Sequence, residues 1–390
     1  MNRMYVDAGW TSANKFGQLL CGDRVELHRQ EDGGTTLVLA DGLGSGVKAN
    51  ILATLTSKII GTMMAGGMSV EDCVAAMAAT LPICRERGIA YSTFTILHLD
   101  ADGCARVIEY DNPKTILLRD GKSLEYEVSS RTISGKTVTE AEFRLREGDM
   151  FVTMSDGAIY AGVGKSLNFG WQRENIMEFI EANYEEDCSS KMLSSLLVDE
   201  CSRLYRGEPG DDTTVAALKL WPRKQTNLMI GPPADPEEVP DMMSRFFSQE
   251  GKHIVCGGTT SILASQFLGK NIRTRPEYLD PEIPPTAEID GVDLVTEGVI
   301  TVSRVLRYAK EYLEGTAGYP DWSRRRDGAS RISRLLFAEA TDIQFFVGRA
   351  VNPAHQNPDL PVAFRIKIQL VDELAECLRK MGKRVKVSYF

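Results

Sequence analysis

No stretch of this 390-residue chain approaches the ~20 consecutive apolar residues that a membrane-spanning helix needs, so no membrane role is expected. The opening residues, MNRMYVDAGW, lack the apolar core of a secretory leader, and the expected compartment is the cytoplasm. Positive charge is in deficit. Against 54 Asp and Glu stand 45 Lys and Arg, a net charge of −9, which leaves no basic footprint for nucleic acid; clusters such as SRRRDG at 323–328 are short. No two of the eight cysteines form a C-x-x-C pair, and none opens a C-x5-R phosphate loop. Neither a zinc site nor a disulfide framework is signalled, and the pattern argues against a cysteine phosphatase. Histidine is nearly absent: His28, His98, His253 and His355 are isolated, and strand or surface positions are expected for all four.

What is present is a core-forming composition, 43% apolar, and a length that suits two or three domains. The clearest seam follows TTVAALKL, where four prolines fall within GPPADPEEVP at 231–240. It sets expected domains at 1–222 and 226–390. Before the seam, strands and helices come in blocks: a hairpin across EDGG, two helices at 46–65 and 69–88, an antiparallel meander from 91, helices near 173–184 and 189–205, and a last strand. Blocks of this kind predict an α+β, antiparallel sandwich flanked by helices. After the seam, short apolar runs (NLMIG, HIVCGG, VDLVTEG, IQFFVG, RVKVSYF) alternate with helical segments, which predicts a smaller α/β domain with a mostly parallel sheet.

The first domain places carboxylates at strand ends or turns: Asp23 in CGDR, Asp41 in ADGLG, Asp156 in MSDG, and Asp211 with Asp212 in GDDTT. Each has a glycine beside it or one residue away. An isolated Asp-Gly pair is an ordinary turn; the ordered set suggests a cluster. Mg2+ and Mn2+ prefer oxygen ligands and retain several waters, so a few carboxylates and a backbone carbonyl suffice to hold them. Gly42, lacking a side chain, could present that carbonyl next to Asp41.

The ordered motifs GD, DGLGSG, SDG and GDDTTV resemble the metal-dependent serine/threonine protein phosphatases. DGLG with DDTT is most similar to the bacterial branch typified by stage II sporulation protein E, over residues 5–220. The resemblance implies two Mn2+ or Mg2+ ions, with a weaker third as an option. Asp41 would bridge the two, Gly42 would give its carbonyl to one, Asp156 and Asp211 would complete the other, and Asp23 would hold metal-bound water. It also implies hydrolysis of phosphoserine or phosphothreonine by metal-activated water, on a phosphoprotein substrate such as an anti-sigma-factor antagonist. Helices following the Asp41 loop can couple partner binding to the metal site in that branch; the other reading is that they only cover the sheet. Leu43 departs from the eukaryotic relatives, many of which carry histidine there, so the leaving alcohol must take its proton from water or another group. A phosphate-binding arginine is also missing, because Arg24 faces opposite to Asp23 on a strand.

In the second domain, HIVCGGTTSILASQFLG at 253–269 runs strand, glycine pair, hydroxyl cluster, helix. Gly257, Gly258, Thr259, Thr260 and Ser261 form a candidate anion loop, faintly similar to phosphosugar-sensing domains of bacterial regulators. The competing reading is that the hydroxyls cap the helix. Glu297 in VDLVTEGVI could face the same ligand. Two functions follow for the chain. One is a phosphatase regulated or targeted by its C-terminal domain. The other is a weak or inactive phosphatase-like scaffold, or small-anion sensor, acting by binding.

Overall fold

The computed structural model describes residues 4–30, 33–80, 92–100, 102–274, 280–314, 321–350 and 362–390. It divides into two compact units, one covering Met1–Pro222 and the other running on from Arg223. The first unit contains, in chain order, β1 (Met4–Ala13), β2 (Asp23–Arg29), β3 (Thr35–Gly42), α1 (Gly46–Ala65), α2 (Val70–Thr80), β4 (Ser92–Leu99), β5 (Cys104–Tyr110), β6 (Ile116–Arg119), β7 (Lys122–Leu124), β8 (Ser129–Ile133), β9 (Lys136–Arg144), β10 (Met150–Met154), α3 (Asp156–Ile159), α4 (Arg173–Asn183), α5 (Ser190–Leu204) and β11 (Thr213–Pro222). The expected extension of α2 toward Gly88, and His355, lie outside the described residues.

Two antiparallel sheets, ordered β1-β11-β10-β6-β7 and β2-β3-β4-β5-β9-β8, face each other. β3 shows why. Its residues Leu37 and Leu39 join Val107, Phe151 and Leu218 in the core between the sheets. The alternate residues Val38 and Ala40 join Leu52, Ala53 and Ile60 under α1. A strand covered on both faces reads as an uninterrupted apolar run, and that is the LVLA segment. α2 opens on a reciprocal cap: Ser69 Oγ donates to Asp72 Oδ2 at 2.7 Å and accepts from the Asp72 amide at 3.1 Å.

The second unit contains β12 (Gln225–Ile230), α6 (Val239–Phe247), β13 (Lys252–Cys256), α7 (Gly258–Leu268), β14 (Arg273–Thr274), β15 (Ala287–Ile289), β16 (Val292–Thr296), α8 (Val299–Glu314), α9 (Asp321–Arg324), α10 (Gly328–Ser333) running into a π-helical turn over Arg334–Glu339, β17 (Asp342–Val347), α11 (Val362–Lys380) and β18 (Arg384–Tyr389). Its seven-stranded sheet is ordered β14-β15-β16-β13-β12-β17-β18. From β16 to β18 all neighbours are parallel, and the β14–β15–β16 edge is antiparallel. Side chains of α6 and α7 pack on one face, through Met242, Phe246 and Ala264. Those of α8, α10 and α11 cover the other, through Val302, Ile332 and Val371.

The architecture is therefore an antiparallel sandwich flanked by helices, followed by a smaller α/β unit. Among the described residues no helix is long and apolar enough to cross a membrane.

Candidate metal centre

Strand alternation gathers the carboxylates. Val25 of β2 and Leu39 of β3 face the interior of the sandwich, and two residues along each strand the same faces carry Asp23 and Asp41. These two are direct partners in the β2–β3 register. On the opposing sheet Phe151 and Ala216 point inward. The same period brings Ser155 after β10, Thr214 of β11 and Asp212 just before β11 to the same end of the sandwich. Ser155 Oγ donates to Asp23 Oδ2 at 2.7 Å and accepts from the Thr214 amide at 2.9 Å. Asp23 and Asp212 are each only 4% exposed.

Two glycines allow the elements to close up here. A Cβ on Gly157 would stand 2.1 Å from the Asp212 carbonyl oxygen, so glycine lets α3, with Asp156 at its start, lie against the Asp211–Asp212 loop. A Cβ on Gly42 would stand 2.1 Å from the Ala49 carbonyl oxygen of α1. Gly42 thus has a packing reason to be glycine, beyond exposure of its carbonyl. Asn50 of α1 also donates to the Cys21 carbonyl at 2.8 Å, tying the helix to the start of β2.

The electrostatics are those of crowded anions. Burial pushes Asp41 up to about 9, and repulsion from Asp23, Asp156, Asp211 and Asp212 adds to it. Burial likewise raises Asp23 to about 7, against the hydroxyl hydrogen bonds of Ser155 and Thr214 and with repulsion from Asp212 and Asp156. Asp156 is raised by burial and then by Asp211, and Asp111 contributes further repulsion. Among the described residues one cation reaches the group: Lys15 Nζ lies 3.5 Å from Asp211 Oδ1, its amide donates to Asp212 Oδ1 at 3.0 Å, and its charge opposes the upward shift of Asp156.

Asp23, Asp41 with Gly42, Asp156 and Asp211 therefore all lie at one end of the sandwich. Alternation on β11 makes Asp212 the deeper of the Asp211–Asp212 pair, which motif reading alone did not distinguish. Lys15 and Asp111 carried no such signal. Arg24 is exposed and its guanidinium lies 3.4 Å from Glu26 Oε1, on the opposite face from Asp23. Gly257, Gly258, Thr259, Thr260 and Ser261 belong to the second unit. There Thr260 Oγ1 accepts the Gly231 amide at 3.0 Å, Ser261 Oγ donates to the Gly257 carbonyl at 2.8 Å, and Thr259 is exposed. Glu297, expected to face a ligand, instead caps α8, its Oε2 accepting the amides of Ile300 at 3.1 Å and Thr301 at 3.4 Å.

The donor set fits a hard divalent cation. Every side-chain donor is a carboxylate oxygen, and Asp23 Oδ1 and Asp212 Oδ2 are buried without a hydrogen-bond partner. Among the described residues, no three acid, imidazole or thiol side chains form a ready-made ligand cage. Few protein ligands is the arrangement that Mg2+, which keeps much of its water, accepts.

Residues 31–221 match the family model of stage II sporulation protein E. Stage II sporulation protein E of Bacillus subtilis (strain 168) is 22% identical over 219 residues, covering 55% of this chain; the chain spans only 26% of that protein's length. The solved phosphatase domain of the Bacillus subtilis protein is 19% identical, with a TM-score of 0.44, over 56% of this chain and 94% of that domain. A structure of RsbX in complex with magnesium is 20% identical, with a TM-score of 0.39, over 55% of this chain and 95% of RsbX. Residues 31–221 therefore match the stage II sporulation protein E family, the bacterial branch that the four motifs resemble.

Proposed function

We propose that the first unit is a divalent-metal-dependent phosphatase acting on phosphoserine or phosphothreonine of a regulatory protein. The observation that carries this reading is the convergence of Asp23, Asp41, Asp156, Asp211 and Asp212, with two buried oxygens unpartnered and two pKa values driven far upward. Asp41, the Gly42 carbonyl, Asp156 and Asp211 would hold two Mn2+ or Mg2+ ions, and Asp23 and Asp212 would orient their water. Ions held there supply Lewis acidity toward the phosphoryl oxygens and a water of lowered pKa. Ser155 and Thr214 fix Asp23 in place. Lys15, beside Asp211, would draw the phosphate to the mouth of the site.

A protein substrate is supported by exposed apolar side chains on the loops beside the Asp211 segment. Leu19 is 95% exposed and Phe169 83%, and Phe16 and Val163 are exposed too. The Phe16 amide donates to the Pro209 carbonyl at 2.9 Å, and Lys165 Nζ donates to the Glu208 carbonyl at 2.8 Å, so both loops border the carboxylates. Exposed apolar clusters of this kind mark contact surfaces. An anti-sigma-factor antagonist is the substrate class the family resemblance implies.

The alternative is a binding-only role, with the first unit a phosphatase-like scaffold. Hydrolysis of p-nitrophenyl phosphate and of a phosphoserine peptide, with Mn2+ and then with EDTA, separates the two. Turnover that needs Mn2+ supports the phosphatase; no turnover at any Mn2+ concentration leaves the scaffold.

A further inference from the structure

We infer that the second unit binds a small phosphate-bearing anion at the carboxyl ends of β12 and β17, between the Lys367 ammonium and the N-terminus of α7. The chain lays down β12, β13 and β16 outward in one direction, then returns to place β17 and β18 on the other side of β12. The pair β12/β17 is therefore the switch point of a parallel sheet, outside whose carboxyl ends ligands bind.

Lys367, on α11, is only 8% exposed. Its Nζ makes one long hydrogen bond, 3.4 Å to the Ala350 carbonyl, and among the described residues no carboxylate pairs with it. Burial lowers its pKa, and among the described residues no anion offsets the effect. An ammonium out of water without a counter-charge is costly unless something else supplies one. The Nζ abuts Gly231, the residue after β12: a Cβ there would lie 2.5 Å from it. The Gly231 amide in turn donates to Thr260 Oγ1, in the first turn of α7, at 3.0 Å. One glycine thus links the ammonium to the helix start.

The α7 N-terminus is itself uncompensated. It has no acidic residue in its first turn, and its N-cap, Gly257 at φ +107, offers no side chain to cap it. Nothing lies within 4 Å of a Cβ built on Gly258, so the approach to the first turn is open. The neighbouring α8 is different, because Glu297 supplies its own carboxylate. A helix start without an anion and a buried lysine without an anion, joined through Gly231, suit a tetrahedral phosphate monoester whose oxygens can accept from both.

The test uses the full chain in EDTA, so that the carboxylates of the first unit hold no metal and attract no phosphate. Thermal melting and calorimetry follow titration with inorganic phosphate, against chloride at matched ionic strength. Wild type should be stabilised by phosphate. Lys367→Met and Gly258→Asp should each weaken the apparent affinity at least ~10-fold, the scale of one lost charge-assisted contact. Gly258→Asp adds a helix-favouring charge in open space, so it should fold as well as wild type without phosphate. Asp41→Asn should leave the phosphate response unchanged. No response to phosphate in wild type, a response that survives both Lys367→Met and Gly258→Asp, or one that disappears in Asp41→Asn would each overturn the inference. None of these results depends on whether the first unit turns over substrate.

Discussion

The two units gather opposite charges at the ends of their sheets. In the first, antiparallel alternation points Asp23, Asp41 and Asp212 into one end of a sandwich, with Lys15 half-exposed at its edge. In the second, parallel strands end on Gly231 and Gly348 beside a buried lysine and an uncapped helix. Burying like charge opposes folding unless a counter-ion offsets it. What each unit leaves uncompensated indicates what it would bind, a hard cation in one and an oxyanion in the other. The carboxylate end has the larger imbalance, and the sharpest tests fall there.

Asp41→Asn should fold, because it relieves repulsion, yet lower phosphatase turnover at least ~10²-fold, the scale of removing a key electrostatic group. Near-normal turnover at saturating Mn2+ would remove Asp41 from the site. Gly157→Ala should destabilise the first unit by roughly 1–3 kcal/mol through forced contact with the Asp212 carbonyl, measured by urea unfolding with EDTA present. An unchanged midpoint would mean that α3 does not need the close approach.

The sign of the pH dependence also follows from the raised carboxylates. Folded values of about 7 for Asp23 and about 9 for Asp41 exceed the ordinary unfolded range near 3.8. Their contribution to stability is complete below that range and is lost as pH rises through the folded values. The chelated protein should therefore melt lower at pH 9 than at pH 5, and saturating Mn2+ should remove most of the difference. A chelated melting temperature that rose over that interval would contradict the crowding of charge. Lys15→Met should have the smallest effect. A few-fold higher KM for a phosphoserine peptide is expected, with stability changed by less than ~1 kcal/mol, since exposed ion pairs contribute little. A large loss of stability instead would make Lys15 a structural contact.

Much of the carboxylate site was legible because aspartate beside glycine at a strand end leaves a local trace. Ser155 and Asp212 were also within reach: counting by twos from Phe151 and Ala216 points both inward. Lys15 was not, because its approach to Asp211 is made by a loop between β1 and β2 whose path no local pattern specifies. β1 itself was missed. MYVDAGWTSA alternates poorly, and pairing with β11 along its full length is what holds it extended. The two-residue β14 and three-residue β15 depend in the same way on an edge already built. Glu297 was misread for an instructive reason. An acidic residue just before a helix is as good an N-cap as a ligand contact, and here it accepts from the third and fourth residues after it.

The central claim, that the anions of the first unit are matched by a divalent cation, is tested most directly by calorimetric titration of Mn2+ into metal-free protein at pH 7. Repeating the titration in buffers of different ionisation heat counts the protons exchanged. With Asp41 raised to about 9 and Asp23 to about 7, the account predicts binding accompanied by net proton release, with both reduced in Asp41→Asn. Binding without proton release, or no binding by wild type, would contradict it.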